Sequence, residues 1–276
     1  MAVMKSTEQT NPMSRDYIVG IYNLCDYWCD RCAFTRRCHN FETGERLAAE
    51  RDSLRTDEQN YELWDSVDAV LAEARKRLDE MAEERFYDRM DEFTDALSED
   101  EVEQHQTEQD THERAVKRHF VVTTAEDYRQ AVSDWFASVV QEVKEWSDHL
   151  LAQARFAPET ASVRDEIERQ QEFFDIVSWY HTLLPAKARR MISGLLELPR
   201  QTAWNDGSDV FGTGKLMLVS IDRSLSAWTQ LISVLPNQET EILSFMIRLD
   251  HLRRGIERAV PQARAFVRPG LDEPRL

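Results

Sequence analysis

Apolar side chains recur every three or four positions along most of this chain, and that spacing belongs to helices. Between residues 57 and 98, Trp64, Val67, Leu71, Ala74, Leu78 and Met81 follow the seam spacing of a coiled coil. The register then slips, and Phe86, Met90, Phe93 and Leu97 continue it. A second stripe joins Tyr128, Val132, Trp135, Val139, Val143, Trp146 and Leu150, and a third joins Val163, Ile167, Phe174, Val177 and His181. Two more run through Leu218, Ile221, Leu225, Trp228 and Ile232, then Ile242, Phe245, Leu249, Leu252 and Ile256. No alternating run competes with them. Glycine and proline number only 8 each in 276 residues, too few for the turns of a large sheet protein. The expected fold class is all-α: a multi-helix bundle with a long charged helical arm and a small N-terminal four-cysteine metal loop.

The stripes divide the chain into four parts. Residues 1–13 read as a loose tail, 14–55 as a four-cysteine metal-binding module, 56–122 as the charged arm and 123–276 as the bundle core. Within the module, a helix is expected over SRDYIVGIYNL (14–24) and a second from about Thr43. Residues 99–119 are so polar that they read as a solvated helix or a partly disordered stretch. Thr123 followed by Glu126 is a capping-box pattern, which starts a helix there and carries it to about Arg155. Pro158 and Thr160 start the next helix, Pro185 ends or kinks it, and a short helix reaches about Leu198. LPRQTAWNDGSDVFGTG reads as a loop, with Gly212 and Gly214 shaping the turn into a helix over about 215–235. The last helix spans about 238–260, Pro261 stops it, and Phe266 and Val267 dock back.

Formal charge is −17, with 51 acidic against 34 basic residues. Such a surface repels phosphate backbones and anionic membranes, so nucleic acid is a poor partner. No apolar run reaches membrane-span length, and the first residues carry no signal-peptide pattern. A cytoplasmic location is therefore expected. Beyond about Leu184 the balance tilts basic, through Lys187, Arg189, Arg190, Arg248, Arg253, Arg254, Arg258, Arg264 and Arg268. Attraction between the two ends, within a chain or between copies, is the simpler meaning, and a basic surface for an anionic partner the sharper one. A protein partner or self-association is expected through the charged arm.

All four cysteines lie in LCDYWCDRCAFTRRCHNF, at Cys25, Cys29, Cys32 and Cys38. In a reducing compartment, clustered thiols are metal ligands more often than disulfides. Four thiolates suffice for a tetrahedral zinc site or a [4Fe-4S] cluster. Structural zinc sites usually join two turns across a long insert, whereas here one short loop supplies every ligand. A cluster is larger than a single ion, and one loop wraps it more readily. Tyr27, Trp28 and Phe34 are placed to shield it, and Arg31, Arg36, Arg37 and His39 to offset its charge. His39 could also replace one cysteine around zinc.

CDRCAFTRRC resembles the last three cysteines of the iron–sulfur staple in RecB-type nucleases, including the CRISPR-associated ones. Cys29, Cys32, Phe34 and Cys38 fall on that pattern, and Ala33 stands where that family often has proline. The likeness covers about ten residues, and the carboxylate–lysine core of those nucleases is not recognisable elsewhere. It implies a [4Fe-4S] cluster and not nuclease activity. Cys25, Cys29 and Cys32 also have the radical-SAM spacing. That motif needs an open iron and a βα barrel, and this chain has a fourth cysteine and no strand pattern.

Other candidates are weaker. His105, His112 and His119 recur every seven residues and share one helical face, either a metal-binding or pH-sensitive stripe or an ordinary solvated one. Glu142, Glu145 and His149 sit near the rim of one apolar stripe, Asp175 and His181 on the next and Asp222 on a later one. Carboxylates and histidines on facing helices build dimetal sites, although the Glu-x-x-His spacing is absent here. FGTGKL lacks two positions of a phosphate loop, Asp209 and Leu216 standing in them. Three functions fit these features. The first is a four-cysteine site holding [4Fe-4S], or zinc, in a structural, redox-sensing or electron-transfer role. The second is a bundle enzyme with a carboxylate/His dimetal site, and the third a zinc-stapled interaction scaffold.

Overall fold

The computed structural model describes residues 17–55, 99–156, 161–198 and 207–272. The seam of 57–98, residues 1–13 and the helix-starting Pro158 and Thr160 lie outside the described residues. What is described is all-α: α1 (His39–Arg55), α2 (Glu99–Arg118), α3 (Phe120–Phe156), α4 (Ala161–Glu197), α5 (Ser208–Val234) and α6 (Glu239–Ala259), with short 3-10 turns and no strand among these residues. No described helix is long and apolar enough to cross a membrane.

Two compact units divide the chain. The first holds the residues through Val19 and Trp28–Asp110; the second holds Gly20–Tyr27 and everything from Thr111 onward. This division falls inside α2 and cuts the cysteine loop.

In the second unit, α3 packs on α4 and α6, and α5 on α4 and α6, which closes a ring of four helices. The apolar stripes line its interior. Tyr128, Val132, Ile221, Trp228, Ile242, Leu249, Leu252 and Ile256 are all fully buried. Aromatic rings fill one layer: Trp135 and Trp228 meet edge-on at 5.2 Å, and Phe245 lies 5.0 Å from Trp228. The two indoles and the phenol need polar partners when buried. Trp228 donates to the Tyr128 hydroxyl at 2.9 Å, and Trp135 donates to Gln238 at 3.0 Å.

Several helix boundaries differ from the sequence expectation. Gly20 adopts a left-handed φ of 73°, so 14–24 is not one helix; its described part holds a single turn, Ile21–Asn23. The next helix begins at His39, earlier than Thr43. Residues Glu99–Arg118 agree with the first of the two expected readings and form a largely exposed helix. Thr123 caps nothing, because α3 already starts at Phe120 and the Thr123 hydroxyl donates back to the Phe120 carbonyl at 3.1 Å. Pro185 does not end α4, which runs through it to Glu197. A missing N–H costs one helical hydrogen bond, and the burial of Pro185 between Leu184 and Lys187 offsets it.

The FGTG stretch is not a turn either. α5 starts at Ser208, so Gly212 and Gly214 are helical and buried. Their role is close approach. A Cβ on Gly212 would sit 2.3 Å from Leu24, and one on Gly214 would sit 2.8 Å from the Ala263 Cβ. The docked tail forms as expected for Phe266, whose ring lies 6.3 Å from Phe211; Val267 is left exposed.

Candidate functional site: the cysteine loop and its strap

In the first unit, two single 3-10 turns shape the loop, Cys29–Arg31 and Thr35–Arg37. Cys32 N–H donates to the Cys29 carbonyl at 3.0 Å, and Cys38 N–H donates to the Thr35 carbonyl at 3.2 Å. The Phe34 N–H points at the Cys32 sulfur, 3.4 Å away. Backbone N–H···S contacts of this kind support thiolate ligands. Cys38 immediately precedes α1 and accepts the Glu42 N–H at 3.2 Å, so it stands at the positive end of that helix. Ile18 N–H donates to the Arg37 carbonyl at 3.0 Å and ties the loop to the preceding strand of chain. Tyr17 adds a hydroxyl bond to Glu42 and an edge-on ring contact with His39 at 5.4 Å. The Arg31 guanidinium stacks over Trp28 at 4.0 Å.

In the second unit, Gly20–Tyr27 is a strap fastened to the bundle. Ile21 is buried and Leu24 fits against the bare backbone of Gly212. The Leu24 carbonyl accepts from Arg268 at 3.2 Å, and Arg268 is itself held by Asp272 at 2.8 Å. Asp26 is the main fastening. Its carbonyl accepts from the Trp179 indole at 2.9 Å, and its carboxylate accepts from the Tyr180 hydroxyl at 2.9 Å and Arg223 at 3.3 Å. Arg223 also donates to the Tyr180 hydroxyl at 2.6 Å. Tyr27, at a left-handed φ of 58°, lays its ring under the Lys187 ammonium at 4.5 Å. Cys25 sits between these two fastened residues and its thiol donates to the Tyr22 carbonyl at 3.6 Å.

The electrostatics around Cys25 come from α4. Burial pushes the Lys187 ammonium down, the neighbouring Arg190 adds to this, and the Cys25 thiol opposes it. Burial pushes the Tyr27 phenol up, and Cys25 adds to that. Arg190 is fixed by a two-pronged pair with Asp209, at 3.1 and 2.5 Å. Charge compensation was expected from Arg31, Arg36, Arg37 and His39. Lys187 and Arg190 are remote in sequence, and their position on α4 beside the strap is what no local pattern signals. All four cysteines are thiols and half-buried. Cys29, Cys32 and Cys38 belong to the first unit and Cys25 to the second. Among the described residues, no three His, Cys, Asp or Glu side chains stand close enough to hold a metal ion.

The other candidate residues are engaged separately. His181 is buried, bonds to the Ser178 carbonyl at 2.7 Å and packs its ring 5.7 Å from Phe136. Burial lowers its pKa, and it reads as core. Glu145 accepts from Gln141 at 2.9 Å on an exposed face, and Asp222 pairs with Arg264 at 2.6 Å. Asp175 is half-buried on α4, and the side chains of Glu142 and His149 lie outside the described residues. The histidine stripe is likewise divided. His105 is exposed in the first unit, while His112 bonds to Ser193 at 2.9 Å and faces Glu197 at 3.3 Å. His119 accepts the Val121 N–H at 3.2 Å.

Tyr180 offers a pH test of the strap. Burial first, and the adjacent Asp26 second, push its hydroxyl up to about 12 from 10.0. Between those values the folded state keeps a proton that the unfolded chain has lost. Stability therefore falls as pH rises through this window, by up to about 2–3 kcal/mol from this group. Absorbance titration of the phenolates should show Tyr180 ionising late, and Tyr180→Phe should remove that step. Asp26→Asn should shift it to lower pH. An unchanged titration in Asp26→Asn would mean that the strap is not seated on Tyr180.

No family model, no curated protein and no solved structure matches the chain.

Proposed function

We propose that Cys25, Cys29, Cys32 and Cys38 ligate one inorganic centre, a [4Fe-4S] cluster with zinc as the alternative, in a reducing, cytoplasmic setting. The observation that carries this reading is that the chain spends all four of its cysteines between positions 25 and 38 and none elsewhere. The Phe34 N–H aimed at the Cys32 sulfur, the helix start behind Cys38 and the Lys187 ammonium beside Cys25 support it. Thiolate sites commonly close around the metal as it binds, so binding and local folding are one event. Four cysteine ligands complete the coordination of either centre and leave no position for a substrate. The role that follows is structural, redox-sensing or electron-transferring.

Full-length protein purified without oxygen and assayed for iron, sulfide and zinc tests this. About four iron and four sulfide per chain, with a broad visible absorbance that dithionite bleaches, is the expected result. About one zinc per chain in colourless protein selects the alternative. Neither metal in stoichiometric amount overturns the proposal.

A further inference from the structure

A groove in the second unit lies where the first turn of α3 meets the last turns of α6. It encloses about 650 Å³, within the range of small-molecule sites. Phe120, the first residue of α3, is half exposed there although it is a large apolar side chain. Its ring rests on Gly255, where an added Cβ would meet it at 2.9 Å. His251, Arg254 and Arg258 follow each other along one face of α6 and line the same space. His119 closes the adjoining end.

The charges in this groove are not equally committed. Arg254 is paired with Asp250 at 2.7 Å. The lining carboxylate, Glu257, is held by Arg264 at 2.8 Å. Arg258 uses its Nε on the Arg254 carbonyl at 3.1 Å, which leaves its two terminal nitrogens for a ligand. His119 accepts the Val121 N–H through Nδ1, so in the neutral ring the proton is on Nε2, a donor. The groove thus combines an exposed aromatic face, one two-pronged guanidinium and the His251 imidazole, with the His119 imidazole in the adjoining pocket, on a protein of net charge −17. That overall field repels a polyanion, while a short anion meets only the local cations.

We propose that this groove binds a small phosphorylated ligand carrying a planar ring, of the mononucleotide class, with the ring on Phe120 and the phosphate on Arg258. Guanidinium forks match phosphate oxygens, and a flat ring on an aromatic face adds a contact that inorganic phosphate cannot make. The site is separate from the cysteine loop and does not depend on what that loop holds.

AMP and inorganic pyrophosphate are the probes, titrated into the full chain and followed by calorimetry. AMP should saturate with a Kd on the order of 0.1–1 mM. Arg258→Ala should weaken both probes about fivefold or more. Phe120→Ala should weaken AMP by a similar factor and leave pyrophosphate unchanged. Both side chains are exposed, and circular dichroism confirms that each variant folds. No saturable AMP binding, or AMP binding indifferent to both substitutions, overturns the proposal. So does an acidic peptide that binds through Phe120 and Arg258 while AMP does not, since the groove would then be a protein-docking face.

Discussion

Trp228→Ala should destabilise the helical unit by about 3–5 kcal/mol, a large share of the stability of an ordinary domain. The indole is fully buried against Trp135 and Phe245, whose rings also meet each other at 5.9 Å. Truncation removes a whole buried indole and leaves a cavity beside two rigid rings. It also removes the indole N–H from the Tyr128 hydroxyl, which is buried with a strongly raised pKa and keeps only its contact with Ser224. Trp228→Phe separates the two effects, because it keeps most of the ring and loses the N–H. It should cost about 1–3 kcal/mol, the penalty of leaving a buried hydroxyl short of a partner. Denaturant unfolding followed by far-ultraviolet circular dichroism reads both. A midpoint unmoved by Trp228→Ala would mean that the aromatic layer is not the packed centre of the ring.

Cys32→Ser should lower retained metal by on the order of tenfold or more. A serine hydroxyl does not ionise near neutral pH, so the exchange replaces an anionic ligand by a neutral one of similar size. Cys32 is the informative choice because its sulfur accepts a backbone N–H, from Phe34 at 3.4 Å. With four cysteines in the chain there is no fifth thiol to substitute for it. Thr35→Ser, in the neighbouring turn, controls for disturbance of the loop backbone and should keep its metal. Equal metal content in Cys32→Ser and the parent protein would remove Cys32 from the ligand set and with it the four-cysteine centre.

The helices of the bundle were legible because burial along them is periodic. Ile242, Phe245, Leu249, Leu252 and Ile256 could be named as one face before any neighbour was known, and all five are buried. Their ends were less legible. Thr123 has the right residue three positions before a glutamate, yet the chain was already helical at Phe120, so its hydroxyl found a carbonyl instead of a free N–H. Proline at 185 signals an end or a kink, yet α4 continues through it, with Leu184, Lys187 and Ala188 buried around it. Gly212 and Gly214 looked like turn residues because glycine is the usual turn residue. Here the absent side chains make room for Leu24 and Ala263, which only a folded chain brings near.

The candidate site divides along the same line. Spacing alone picked out Cys25, Cys29, Cys32 and Cys38 and the aromatic and basic residues between them, because all of them fall in one short stretch of sequence. Lys187, Tyr180 and Arg223 could not be found that way; they reach Cys25 and Asp26 from α4 and α5 across more than 150 positions of chain. Helix class and thiol clustering are local properties, set by periods of three or four residues and by a single loop. Which helix faces the strap, which glycine admits it and which cations surround it depend on contacts between segments far apart in the chain, and these exist only once the four helices have closed on one another.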